Sequence, residues 1–122
     1  MALLGVDVNE TVKFIPEKEK GAENPTTFHI GILSTKDRLM MGGELKNVQD
    51  DDTKKALFAW ELIKRGVKKI ENVIDPKTKQ LTSYDVITDD VMVLFSREEK
   101  VLIEVASKVI EFNSLTELEQ KN

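Results

Sequence analysis

The stretch Ala56-Leu-Phe-Ala-Trp-Glu-Leu-Ile-Lys-Arg-Gly-Val-Lys-Lys-Ile-Glu-Asn-Val-Ile-Asp-Pro-Lys-Thr-Lys-Gln-Leu-Thr-Ser-Tyr-Asp-Val-Ile-Thr88 changes periodicity once, and that change decides the fold class. Up to Arg65 the apolar residues recur at three and four, the spacing of a helix face. Asp50-Asp51-Asp52 stands before this run, and carboxylates are stabilised at a helix N-terminus by the backbone dipole. The spacing predicts a helix over about 53–65, closed by Gly66 as a C′ glycine. Beyond Gly66, residues 67–73 and 80–83 are short β-prone runs flanking Asp75-Pro76-Lys77-Thr78. Asp-Pro followed by polar residues is turn chemistry, so a hairpin is expected near 67–83.

Working toward the N-terminus, residues 26–33 alternate and are rich in β-branched and aromatic side chains, the pattern of a half-buried strand. Phe28, Ile30 and Ile32 fall on one face, and Thr27, His29 and Gly31 on the other. Residues 11–15 form a second strand candidate stopped by Pro16. A charged loop with Gly21 and Pro25 as breakers separates the two, so an antiparallel ribbon is predicted. Residues 36–41 read as a single helical turn ended by Gly42-Gly43, and residues 1–10 as a flexible arm.

Working toward the C-terminus, Thr88 or Asp89 caps a short helix to about Phe95. Ser96 and Glu99 have the spacing of a capping box opening a helix over 97–112, and Ser114 with Glu117 repeats the pattern for a last turn. On the 97–112 helix, Val101, Leu102, Val105, Ala106, Val109, Ile110 and Phe112 share one side, a wide amphipathic face. The order of ribbon, helix, hairpin and helices predicts one α+β domain over 11–122, with a mainly helical C-terminal part.

Composition supports a single self-sufficient domain. The chain has 122 residues, 40% hydrophobic and 33% charged, enough to bury a core without staples. With no cysteine, disulfides and thiolate zinc sites are excluded. The net charge of −4 argues against a general nucleic-acid binder, which needs excess cation to displace phosphate counterions. Lys64, Arg65, Lys68, Lys69, Lys77 and Lys79 form a basic stretch, but it lacks aromatic residues for base stacking. The run 1–6 meets Asp7 and does not have the basic start of a secretory signal, and no run has the length to span a membrane.

Catalytic chemistry is poorly provided for. The one histidine, His29, has no nucleophile arranged with it by any motif. Carboxylates cluster at Asp50-Asp51-Asp52, Asp89-Asp90 and Glu98-Glu99, where helix starts explain them. The EF-hand spacing and phosphate-loop glycine patterns are absent. No catalytic, cofactor or metal residue is therefore assigned. A metal-dependent enzyme using Asp50, Asp51 or Asp89 is the least supported alternative.

Binding is better provided for. On the 53–65 helix, Ala56, Leu57, Ala59, Trp60 and Ile63 share one face while Phe58 and Leu62 point elsewhere. A helix apolar on two sides is either sandwiched or carries a spare face for a partner. Phe58, Trp60 and Leu62, with the adaptable Met40 and Met41 beside Gly42-Gly43, are the candidate protein-binding residues. The arm 1–10 and the loop 17–25 are expected to order on binding.

Three segments together carry a resemblance: Val12–Phe28 (VKFIPEKEKGAENPTTF), Ala56–Thr88 quoted above, and Val105–Asn122 (VASKVIEFNSLTELEQKN). Gly66, Glu71 and Asn72 are its most specific points, together with Leu115–Asn122. The combination is similar to small proteins from the structural-gene clusters of tailed bacteriophages, many of them tail assembly chaperones and others minor neck or virion proteins. The resemblance implies a cofactor-free binding protein. As a chaperone it would hold the tape-measure protein and recruit tail-tube subunits in the host cytoplasm. As a virion component it would join a connector, collar or other ring at the portal, neck or tail, as a homo-oligomer or with portal proteins.

Overall fold

The structure is a computed structural model that describes residues 2–5, 7–47 and 51–121, with the side chains of 46–47 and 114–121 left out of that description. It is α+β. The elements are β1 (Thr11–Phe14), a 3-10 turn (Glu17–Glu19), β2 (Thr27–Gly31), α1 (Thr35–Asn47), α2 (Asp52–Gly66), β3 (Val67–Ile74), β4 (Leu81–Tyr84), α3 (Asp89–Val93) and α4 (Glu99–Lys121). The strands form one antiparallel sheet in the order β1-β2-β3-β4. The expected ribbon is therefore extended by the expected hairpin, with β3 laid along β2.

Alternation sets the inner face of β2, and two irregularities bring residues three apart in β3 to the same side. Phe28 and Ile30 of β2, and Val67, Ile70 and Val73 of β3, are buried. α2 and α4 cover them, packing against each other and against β3 and β2 respectively. Each such side chain contributes about 1.5–3 kcal/mol on burial. Phe95, just after α3, closes one end of this core with its ring centroid 5.6 Å from that of Phe28. Two irregularities let β3 serve both neighbours. Its register slips against β2 between the partners of His29 and Ile30, and against β4 between Ile70 and Val73. Asn72 sits in the second irregularity with φ 62°, a left-handed conformation that asparagine tolerates. Its carbonyl accepts from Thr26 Oγ1 at 2.8 Å, and its Nδ2 donates to the Pro25 carbonyl at 3.1 Å.

Helix boundaries depart from the local reading in four places. α1 does not stop at Gly42-Gly43 but runs through to Asn47; Met41, just before the glycines, is buried, while residues 42–45 are exposed. Gly66 is not a left-handed cap. It is the last residue of α2, and a Cβ there would stand 2.5 Å from Val109 Cγ1. Only glycine lets α2 and α4 approach so closely. α4 begins at Glu99 rather than Arg97, since the chain between Phe95 and Glu98 closes a tight turn, Glu98 N–H to Phe95 carbonyl at 2.9 Å. Its backbone also continues past Ser114 without a break. The Ser114 and Glu117 side chains, and Asp50, lie outside the described residues.

The expected cap at Thr88 is present, and Asp51 of the acidic run before α2 proves to be a cap as well. Asp51 Oδ1 accepts from Lys54 N–H at 3.0 Å, and Thr88 Oγ1 from Val91 N–H at 3.3 Å. Each satisfies a donor with no partner inside its helix. The loop after β1 already holds its shape. Lys18 pairs with Glu98 at 2.7 Å, Glu17 N–H reaches Glu104 Oε1 at 3.3 Å, and Thr26 N–H reaches Glu19 Oε1 at 3.0 Å. Asn113 is a buried clamp where β2 meets α4. It accepts from Leu33 N–H at 2.8 Å and donates to the Val109 carbonyl at 2.8 Å and the Gly31 carbonyl at 3.4 Å.

Candidate protein-binding groove

The C-terminal half of α1 helps to line a concavity. Arg38, Met41, Gly42 and Leu45 are spaced i, i+3, i+4 and i+7, so they form one stripe along α1. That stripe faces Phe58 and Leu62 of α2 and Ile110 and Asn113 of α4 across a cavity of about 350 Å³. The volume lies at the lower end of the range of about 300–1,000 Å³ usual for ligand sites. Gly42 lines it, and a Cβ added there would meet nothing within 4 Å. Leu39, 72% exposed, stands at the rim.

α1 is tied down at its N-terminal end. Ser34 Oγ accepts from Asp37 N–H at 3.1 Å, and Arg65 of α2 donates from Nη1 to Asp37 Oδ1 at 2.6 Å and from Nε to Glu61 Oε2 at 3.3 Å. The bond to Asp37, opposed by burial and helped by Glu61, holds the Arg65 guanidinium still more firmly charged. Arg38, the next residue on α1, is different. Its Nε is shielded from solvent and has no hydrogen-bond partner among the described residues. Buried donors left in that state are few in native proteins.

The predicted binding residues divide into two groups. Phe58 and Leu62, 9% and 2% exposed, belong to the core and are not a free surface. The same holds for Met41. The reason is that α2 is sandwiched, with α1 on one side and α4 and the sheet on others. What these three residues present is the floor of the groove. Met40, 41% exposed, is outside the groove lining. Trp60 is half-buried and its Nε1–H donates to Asp89 Oδ1 at 3.1 Å. Lys64 pairs with the same oxygen at 2.8 Å, so Trp60 joins α2 to α3. The Lys64 bond, then the Trp60 bond, hold the Asp89 carboxyl below its ordinary value. On α2 the exposed large residue is Leu57 rather than Phe58 or Leu62.

Local patterning did not reveal Arg38, Leu39 and Leu45. The stripe that joins Arg38 to Leu45 spans two glycines, and it is visible only once the helix is known to pass through them. His29 lies on the outer face of the sheet, its Nε2 2.7 Å from Glu71 Oε1. Lys69 and Asp85 continue that row at 3.8 and 3.9 Å. Among the described residues there is no group of three or more His, Cys, Asp or Glu placed to hold a metal ion. Nor is any helix there long and apolar enough to cross a membrane. No protein-family model, curated protein or solved structure matches this chain.

Proposed function

We propose that the protein acts by binding another protein in the groove between α1, α2 and α4, as a chaperone-like factor in bacteriophage tail assembly. The observation that carries the binding reading is the groove itself. Its floor is Met41, Phe58, Leu62 and Ile110, its rim is Leu39 and Leu45, and Gly42 leaves room for side chains from outside. The apolar surface still open there is chiefly that of Leu39 and Leu45, 72% and 40% exposed, and it gains free energy when a partner covers it. The phage role rests on the resemblance of the three segments quoted above, and the tape-measure and tail-tube proteins are the partners it names.

The test is coexpression with tape-measure and tail-tube proteins, followed by copurification and light scattering. Gly42→Leu fills the groove from a position with free space around it, so the variant is expected to fold and to lose the complex. A complex recovered at undiminished yield with folded Gly42→Leu would place the contact elsewhere.

A second reading, a ring-forming virion component, is favoured by a different surface. Ile74 and Leu81 are cross-strand partners at the β3–β4 end of the sheet, and both are exposed, as is Val86 beyond β4. A closed oligomer of the isolated protein, dissolved by Leu81→Lys, would support that reading in place of the chaperone.

A further inference from the structure

We infer that the occupant of the groove is an amphipathic helix that brings a carboxylate to Arg38. This inference rests on the protein-binding reading and specifies the chemistry of the partner. The groove is lined by side chains of three helices and by Leu33. It offers no unpaired strand edge, so an extended peptide would gain none of the main-chain bonds that favour strand addition. A helix laid between helices, with apolar anchors at i, i+3, i+4 and i+7, suits such a lining. Gly42 and the space around it admit one anchor against the floor of Met41, Phe58 and Leu62.

Arg38 selects the charge. Its half-buried side chain lines the groove, and no described residue forms a hydrogen bond or ion pair with its guanidinium; the shielded Nε is likewise unpartnered. Asp37 of α1 and Glu61 of α2 are both engaged by Arg65. A guanidinium remains charged at all ordinary pH and presents a planar fork that matches a carboxylate. The best complement is thus an Asp or Glu flanked by apolar residues, delivered from outside the chain. Charge and shape then act together. The apolar anchors exclude water, and exclusion of water strengthens the ionic hydrogen bond.

The experiment is selection of short helical peptides from a displayed random library against the full chain, with Arg38→Met and Gly42→Leu as parallel targets. Enriched peptides are expected to carry one Asp or Glu at a fixed place among apolar residues at helical spacing. For a synthesised winner, Glu→Gln in the peptide and Arg38→Met in the protein should each weaken binding roughly tenfold or more. Together they should weaken it little further, because both remove one bond. Arg38→Met should melt no lower than the wild type, since it removes a donor that the folded chain leaves unpaired.

Peptides that need an open Gly42 but ignore Arg38 would overturn the charge requirement and leave the groove standing. Peptides indifferent to both variants, or a library that yields none, would overturn the groove as well. A marked fall in melting temperature for Arg38→Met would show the guanidinium already held within the chain, and that too would overturn the inference.

Discussion

Replacing Gly66 by alanine tests the close approach of α2 and α4. An ideal Cβ at Gly66 would lie 2.5 Å from Val109 Cγ1, 3.0 Å from Cγ2 and 3.3 Å from Cβ. Carbon atoms in good contact stand about 3.5–4.0 Å apart, so the overlap is about 1 Å. Val109 is fully buried in α4, and a β-branched residue within a helix has essentially one rotamer. It cannot swing aside, and α2 and α4 must part instead. Overpacking of this kind costs about 1–3 kcal/mol. Alanine recovers up to about 1 kcal/mol of helix propensity over glycine, less at the last residue of a helix. The net expectation is a loss of about 1–2 kcal/mol, or a fall in melting temperature of roughly 3–10 °C for a domain of this size.

Val109→Ala removes the two methyl groups that collide. Alone it should cost about 2–3 kcal/mol, from lost burial and the cavity left behind. Combined with Gly66→Ala it should cost less than the sum of the two by about 1 kcal/mol or more. Urea unfolding read by the fluorescence of the single tryptophan, Trp60, and by circular dichroism measures all four corners of this cycle. If Gly66→Ala is neutral or stabilising, or if the pair is additive within about 0.5 kcal/mol, close approach is not why glycine stands there.

Three further expectations follow from the same physics. Gly42→Ala, with nothing within 4 Å of the new Cβ, should stabilise by about 0.5–1 kcal/mol through helix propensity, opposite in sign to Gly66→Ala in the same urea assay. Asn113→Ala strips the partner from the buried Leu33 N–H and should cost about 2–3 kcal/mol, with amide exchange at Leu33 accelerating most. Asp89 has a folded-state pKa below its ordinary 3.8, so its stabilisation is present above that value and lost as pH falls through the folded-state value. Asp89→Asn should therefore be less stable than the wild type at neutral pH, and the gap in melting temperature should close on acidification below about pH 4. A gap that persists unchanged in acid would mean that the carboxylate charge is not what joins Trp60 and Lys64 to α3.

The sequence by itself determined the class and the order of elements. Alternation at 26–33, helical spacing at 56–65 and the Asp-Pro turn at 75–76 are local signals, and each is expressed by the backbone at or near where it stands. The cap at Thr88 and the acidic start of α2 were legible for the same reason, since a side chain that satisfies a donor three residues away needs nothing from the rest of the fold. Tertiary structure decided what each ambiguous residue does. Phe58 and Leu62 announce only that they are apolar; that α1 and α4 cover them depends on packing between distant segments. Glycine is ambiguous in the same way. Gly66 reads as a cap and serves as a point of close approach, while Gly42 and Gly43 read as a stop and lie within a helix that Met41 anchors to the core. The groove was invisible for that reason. Its stripe of Arg38, Met41, Gly42 and Leu45 exists only because the helix passes through two adjacent glycines, whose weak helix propensity makes the local sequence read as a stop.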